Sequence, residues 1–322
     1  MGEEVVISSA TPAERAAALD LVFSTLLPQP AREQHVRSLL ADSEVGQERW
    51  RTLLVARRQN AQAHGPRSVG LGQNAMVGAV WAHPQPGHAA NVWPPRLAAG
   101  ESGDVAQRLL AAAVVEIGAC GVKTAQALVA PADADDIRRL SAAGFRLLAE
   151  LVYLMGSQQA FPRQQPASPL EFQRYTSADR LRMEDILDRT YVGSLDCPGL
   201  NGIRTGCEVL DEYRGTDAGE PVYWFFVRLA GADIGCLLLA DHPELEQFEL
   251  VYMALVPEAR GSGRGAALVR YAQWLAAGCG RQHLVLAVDS ANGPALAMYE
   301  AAGMTAWDRR RVYLRTFASP AG

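Results

Sequence analysis

Six residues, Arg260-Gly261-Ser262-Gly263-Arg264-Gly265, carry the densest potential chemistry in this 322-residue chain. Glycine tolerates positive φ, so alternating glycines let successive backbone N–H groups turn inward and ring an anion. Arg260 and Arg264 add charge in the planar, two-pronged form that suits phosphate oxygens. An amphipathic segment from Ala266 to Ala277 follows, and its first turn adds free N–H groups and the positive end of a helix dipole. An apolar, strand-like run, Phe248 to Val256, precedes the loop. Strand, glycine loop and helix together form a holder for a pyrophosphate.

Two readings of this loop compete. Gly261 to Ala266 fits G-x-G-x-x-A, and Asp289 ends a strand-like run where a ribose-binding acid is expected. A nicotinamide-binding protein would follow. However, Pro257-Glu258-Ala259-Arg260 separates the strand from the first glycine, and little chain follows Asp289 to complete a doubly wound sheet. The geometry excludes that reading.

The second reading uses more residues. Arg260, Gly263 and Gly265, followed by a strand from Leu284 to Val288, Asn292, Ala295, Tyr299 and Gly303-Met304, resemble in order the GNAT superfamily of acyl-coenzyme A N-acyltransferases. Met304 stands where the family has Phe. The resemblance implies an α/β fold, mainly antiparallel with flanking helices, and acetyl-CoA as cosubstrate without a metal. It implies that Leu255, Val256, Arg260, Gly261, Ser262, Gly263, Arg264, Gly265, Ala266 and Asn292 contact the cofactor. The pantetheine arm would lie between the strand Phe248 to Val256, with free amides near Leu255 and Val256, and the strand His283 to Val288. By the same resemblance Tyr299 is the proton donor to the departing thiolate and Glu249 a candidate base. An amine with a pKa near 10.4 is largely protonated at neutral pH, so some group must take a proton before attack.

Each of these residues also has a plain structural reading. Tyr299 suits a core aromatic, Asn292 a helix cap before Pro294, and Glu249 a solvated strand residue. Strict alternation would set Glu249, Val251 and Met253 on one face and Leu250, Tyr252 and Ala254 on the other. Asp241, His242 and Glu244 fall in the turn before that strand. The segment Tyr191 to Arg204 is expected to shape the acceptor site. In it Asp196 suits either a cation-binding or a turn residue, and Cys197 suits a structural thiol better than a nucleophile.

The elements that position these residues occur twice. Aligning Gly144-Phe145 with Gly303-Met304 gives an offset of 159 residues, at which Leu109-Leu110 meets Leu268-Val269. The pattern in each half is a strand, helix, strand pair, long helix, strand, helix and a closing Ala-Ala-Gly. This is a duplicated domain, not a solenoid. The expected layout is a degenerate GNAT-like domain over 1–156, a linker over 157–168 and a catalytic GNAT-like domain over 169–322. In the first copy Glu101, Asp104, Ala106, Asp133 and Leu140 replace Arg260, Gly263, Gly265, Asn292 and Tyr299. Pro94 and Pro95 remove amides where pantetheine would pair, and Arg96 is the nearest cation. The first copy is therefore expected to keep the fold and lack the site.

Composition narrows the class. With 49% hydrophobic and 20% charged residues the chain is globular, and its net charge of −5 disfavours a nucleic-acid partner. Five widely spaced cysteines and an acidic start without a secretory pattern suit reduced thiols in the cytoplasm, away from membranes. The expected partner is a small-molecule or peptide amine, with a homo-oligomer possible in principle. A non-catalytic acyl-CoA-binding or scaffold protein is the alternative.

Overall fold

The computed structural model describes residues 4–41, 48–59, 75–215, 219 and 221–317. The chain forms two compact units, 1–147 with 313–322, and 148–312. The stretch Gln59 to Gly72, whose Asn, Gly and Pro residues predict a long hairpin loop, lies almost wholly outside the described residues.

The first unit contains β1 (Glu4–Ser9), α1 (Arg15–Val22), α2 (Gln29–Ala41), α3 (Glu48–Arg51), β2 (Leu53–Gln59), β3 (Ala75–Gln85), β4 (Ala89–Leu97), α4 (Gly103–Ala119), β5 (Thr124–Val129) and α5 (Ala134–Ala142). The strands lie in the order β1-β2-β3-β4-β5. Only β4 and β5 run parallel, and they pair over just Ala89 to Asn91. Helix α4 buries Val105, Leu109, Leu110, Ala113 and Ile117, the three-and-four spacing of one helical face.

The second unit begins inside β6 (Arg146–Ser157). It continues through β7 (Glu171–Arg174), α6 (Arg180–Tyr191), α7 (Gly206–Arg214), β8 (Trp224–Leu229), β9 (Ala232–His242), β10 (Gln247–Leu255), α8 (Arg264–Gly278), β11 (His283–Asp289), α9 (Gly293–Ala301) and β12 (Thr305–Thr316). The strand order is β6-β11-β10-β9-β8-β7. All described pairings are antiparallel except β10 with β11. Ala230 and Gly231, both at positive φ, close the β8–β9 hairpin as a two-residue turn of that kind requires.

Apart from the four-residue α3 of the first half, the two halves thus repeat the same order of elements: β, α, α, three β, α, β, α, β. Helices α5 and α9 start at Ala134 and Gly293, keeping the offset of 159. The compact units, however, do not divide at the repeat boundary. From Leu148 onward β6 belongs to the second unit, where Leu151 to Ser157 pair with Asp289 to His283. Residues from Tyr313 belong to the first, where Tyr313 joins the core and the Phe317 N–H donates to the Lys123 carbonyl. Residues 157–168 lie within the second unit, and Phe161 there is buried against Gly156.

Candidate functional site

The site is set by where β10 and β11 part. They pair in parallel only at Gln247–His283, Phe248–Leu284 and Glu249–Val285. Beyond that point β11 stays with β6 while β10 stays with β9, so a wedge opens between them. A β-bulge in β10 between Leu250 and Tyr252 lies beside this divergence. It overturns the expected alternation. Glu249 is opposite Ala240 and Tyr252 opposite Leu238, so Glu249 and Tyr252 share a face.

Past the bulge, β10 presents its edge to the wedge. The Val256 N–H donates to the Ile234 carbonyl at 2.9 Å, so this amide is not free as expected. By the alternation of antiparallel pairing, the N–H and C=O of Leu255 then point away from β9. Arg260 Nε accordingly reaches the Leu255 carbonyl at 2.9 Å. Gly235 on β9 is required for this arrangement, because a Cβ there would meet the Ala254 oxygen at 2.2 Å.

The loop after β10 turns through Gly261 and Gly263, both with φ of 74°, around Ser262. Among the described residues, the N–H groups of Gly261 to Ala266 donate to no acceptor. Six consecutive amides at the start of the 15-residue helix α8 form a cradle for an anion. The one acidic residue of the loop, Glu258, is bound to Arg189 at 3.0 Å. The donor set therefore fits a pyrophosphate.

Arg260 does not reach into this cradle. Its guanidinium donates to the carbonyls of Leu255, Thr190 (2.7 Å), Val192 (2.8 Å) and Gly193 (3.0 Å). It closes the exposed end of α6 and fixes the loop to it. Arg264 bonds Ala259 O and Ser262 Oγ, and Ser262 Oγ bonds Ala259 O at 3.2 Å. Gly265 has a packing role: a Cβ there would lie 2.7 Å from Met298 Sδ on α9. Asn292 accepts the Ala295 N–H at 3.3 Å, so its oxygen caps α9.

Tyr299, on α9, is 6% exposed. Burial, and secondarily the Asp196 charge, pushes its phenol upward, so it stays protonated. Its hydroxyl has no hydrogen-bond partner among the described residues. Asp196 lies in the loop after α6, and its Oδ1 accepts the Asp289 N–H at 2.9 Å. The buried Asp289 accepts the N–H groups of Cys197 at 3.2 Å and Ala291 at 2.9 Å. Cys197 occupies the left-handed region, and burial pushes its thiol up to about 12. That thiol is inert as a nucleophile at neutral pH.

Glu249 is exposed and bonded to His242 Nε2 at 3.1 Å. His242 and Asp241 end β9 instead of lying in a turn, and Asp241 binds Arg281 at 2.6 Å. The sequence reading missed Tyr252 and Tyr213. Tyr252 stacks on Tyr191 at 5.7 Å and lies 5.6 Å from Tyr213, and its hydroxyl meets Thr190 Oγ1 at 3.0 Å. Their aromatic character was visible, but the helix–strand contact that gathers them was not.

In the first unit the matching positions lack these groups. Leu140 on α5 is fully buried where Tyr299 stands. Arg96 is held by Asp136 at 2.8 Å and Thr25 at 2.8 Å, and Glu101 is paired with Arg58.

Residues 187–304 match the model of the Acetyltransferase (GNAT) family. This stretch of the chain is a GNAT domain. The match contains the wedge, the loop, α8, Asn292 and Tyr299. Among solved structures, the chain is similar to a GCN5-related N-acetyltransferase from Sphaerobacter thermophilus, with 13% identity, a TM-score of 0.60, and coverage of 97% of this chain and 95% of that one. It is also similar to a tandem GNAT protein from the clavulanic acid biosynthesis pathway, at 16% identity and a TM-score of 0.53, covering 99% and 100%. A glucosamine N-acetyltransferase region of a fungal multi-domain β-N-acetylglucosaminidase gives 14% identity and a TM-score of 0.63, over 98% of this chain and 38% of that one. At these identities the likeness extends to the fold, a tandem GNAT architecture. No curated protein matches the chain. No helix among the described residues is long and apolar enough to cross a membrane.

Proposed function

We propose that the GNAT domain transfers the acetyl group of acetyl-CoA directly to a primary amine of a small molecule or peptide, in the cytoplasm. The observation that carries this reading is the buried Tyr299, its hydroxyl without a hydrogen-bond partner among the described residues, in the same domain as a wedge between β10 and β11 and a cradle of six free amides. Acetyl-CoA supplies a thioester carbonyl that an amine attacks. The amides of Gly261 to Ala266 hold the pyrophosphate, Leu255 offers its backbone to the pantetheine, and Asn292 fixes the start of α9. Tyr299 donates a proton to the departing sulfur. Arg260 acts by shaping the loop. The first unit, with Leu140 and Glu101 at the matching positions, contributes no second site.

The test is calorimetric titration with acetyl-CoA, paired with turnover of an amine panel by wild type and Tyr299→Phe. One CoA per chain is expected, with turnover lowered about 10²-fold or more by the variant and CoA affinity unchanged. Absence of CoA binding overturns the proposal, and unchanged turnover removes Tyr299 from it.

A further inference from the structure

Asp196 is a carboxylate with one oxygen still to use. Its Oδ1 takes the Asp289 N–H, but Oδ2 has no partner among the described residues, and no Arg, Lys or His pairs with it. The neighbouring acidic groups are all engaged. Asp289 accepts two backbone amides, and Glu212 pairs with Arg204. Asp196 follows Tyr191 in a loop whose Ser194 N–H donates to the Tyr191 carbonyl at 3.0 Å, and its bond to the Asp289 N–H sets it at the end of β11, just before α9 and Tyr299. Tyr299 is more than nine-tenths buried and its hydroxyl has no partner among the described residues.

The surroundings are aromatic and apolar. Tyr191 and Tyr252 stack with 27° between their planes, and Tyr213 adjoins Tyr252 at 32°. Their hydroxyls bond to each other or to Thr190, leaving ring faces to serve as walls. Val192 and Leu195, just before Asp196, are 62% and 55% exposed. Ring faces attract organic cations, and a desolvated carboxylate needs one.

We infer that Asp196 is the acceptor-binding carboxylate, and that the acceptor is a monoammonium compound with an apolar or aromatic body. One free carboxylate oxygen serves one ammonium, which disfavours polyamines. This rests on the acetyl-transfer reading for its chemistry. Glu249, exposed and tied to His242, is replaced in the role of base by Asp196. One ammonium proton passes to Asp196 Oδ2, and the freed amine nitrogen bonds to the acyl carbon as the carbon–sulfur bond breaks. The second nitrogen proton replaces the one that the Tyr299 hydroxyl gives to the sulfur. Asp196 then releases its proton to water.

The experiment is titration of 2-phenylethylamine into the full-length protein, with and without desulfo-CoA, for wild type, Asp196→Asn and Glu249→Gln. Spermidine and N-acetyl-2-phenylethylamine are the comparison ligands. Asparagine keeps an oxygen for the Asp289 N–H, and a thermal melt checks that the variant is folded. Asp196→Asn is expected to weaken 2-phenylethylamine about 10- to 100-fold, the size of one hydrogen bond to a charged group, with CoA affinity unchanged. Glu249→Gln is expected to change neither. Equal 2-phenylethylamine affinity in wild type and Asp196→Asn, no binding of it to wild type, or tighter binding of spermidine each overturns the inference. Loss of CoA binding in the wild type would instead count against the proposed function, because amine binding is read separately.

Discussion

Asp196 and Asp289 fasten two distant loops by exchange. The Asp196 carboxylate accepts the Asp289 N–H at 2.9 Å, and the Asp289 carboxylate accepts the N–H of Cys197, the next residue, at 3.2 Å. The segment after α6 is thereby pinned to the end of β11, beside the wedge. Removing the Asp289 carboxylate leaves two backbone amides without an acceptor. Asp289→Ala is expected to lower stability by about 1–3 kcal/mol, read by urea denaturation, and to speed hydrogen exchange at the Cys197 amide. Unchanged exchange there would show that the pin is dispensable.

Arg260 links the glycine-rich loop to α6 through three carbonyls, Thr190, Val192 and Gly193. Arg260→Ala is expected to weaken CoA binding and also to raise KM for the acceptor. Lysine is a compact charge and does not span this set of carbonyls, so Arg260→Lys is not expected to rescue. An effect on CoA alone would mean that the guanidinium acts on phosphate directly. Competition binding and steady-state kinetics separate the two.

The thiols give a pH prediction. Burial pushes Cys197 and Cys236 from 9.0 to about 12. The folded chain then holds these protons above pH 9 while the unfolded chain loses them. By linkage, the stability they contribute is fully present below pH 9 and falls as pH rises toward 12. The exposed Cys207 is expected to be alkylated first at pH 8.5, with Cys197 and Cys236 protected until denaturant is added. Mass mapping of the labelled peptides checks the order.

Glu101 stands in the first unit where Arg260 stands in the second, and it is paired with Arg58. Glu101→Gln is expected to leave CoA affinity and stoichiometry unchanged by calorimetry. A shift in either would mean that the first unit binds cofactor.

The local parts of this site were legible. Gly261 and Gly263 sit at positive φ, and the strand–loop–helix order follows from neighbouring residues alone. What was hidden depended on distance along the chain. Arg260 reads as a phosphate ligand until Thr190 and Gly193 arrive from about 70 residues upstream to take its donors. The bulge at Val251 leaves no mark, because valine suits a regular strand as well as a bulged one. Asp289 was noticed for the wrong reason, as a ribose-binding acid, and its true partner Asp196 lies 93 residues away. The internal repeat was read only as far as each Ala-Ala-Gly, short of β6 and β12, and an offset does not say which core each of those strands completes.

That last point bears on how the chain folds. The second unit needs Leu151 to meet Asp289, and the first needs Tyr313 and Phe317, which come after every residue of the second. Closing such long loops is slow, and partially formed sheets meanwhile expose bare strand edges. During synthesis, therefore, the earlier-made unit is not the first to be finished. A fragment cut at residue 169 would leave β11 without β6 along one edge, and self-association is its expected fate.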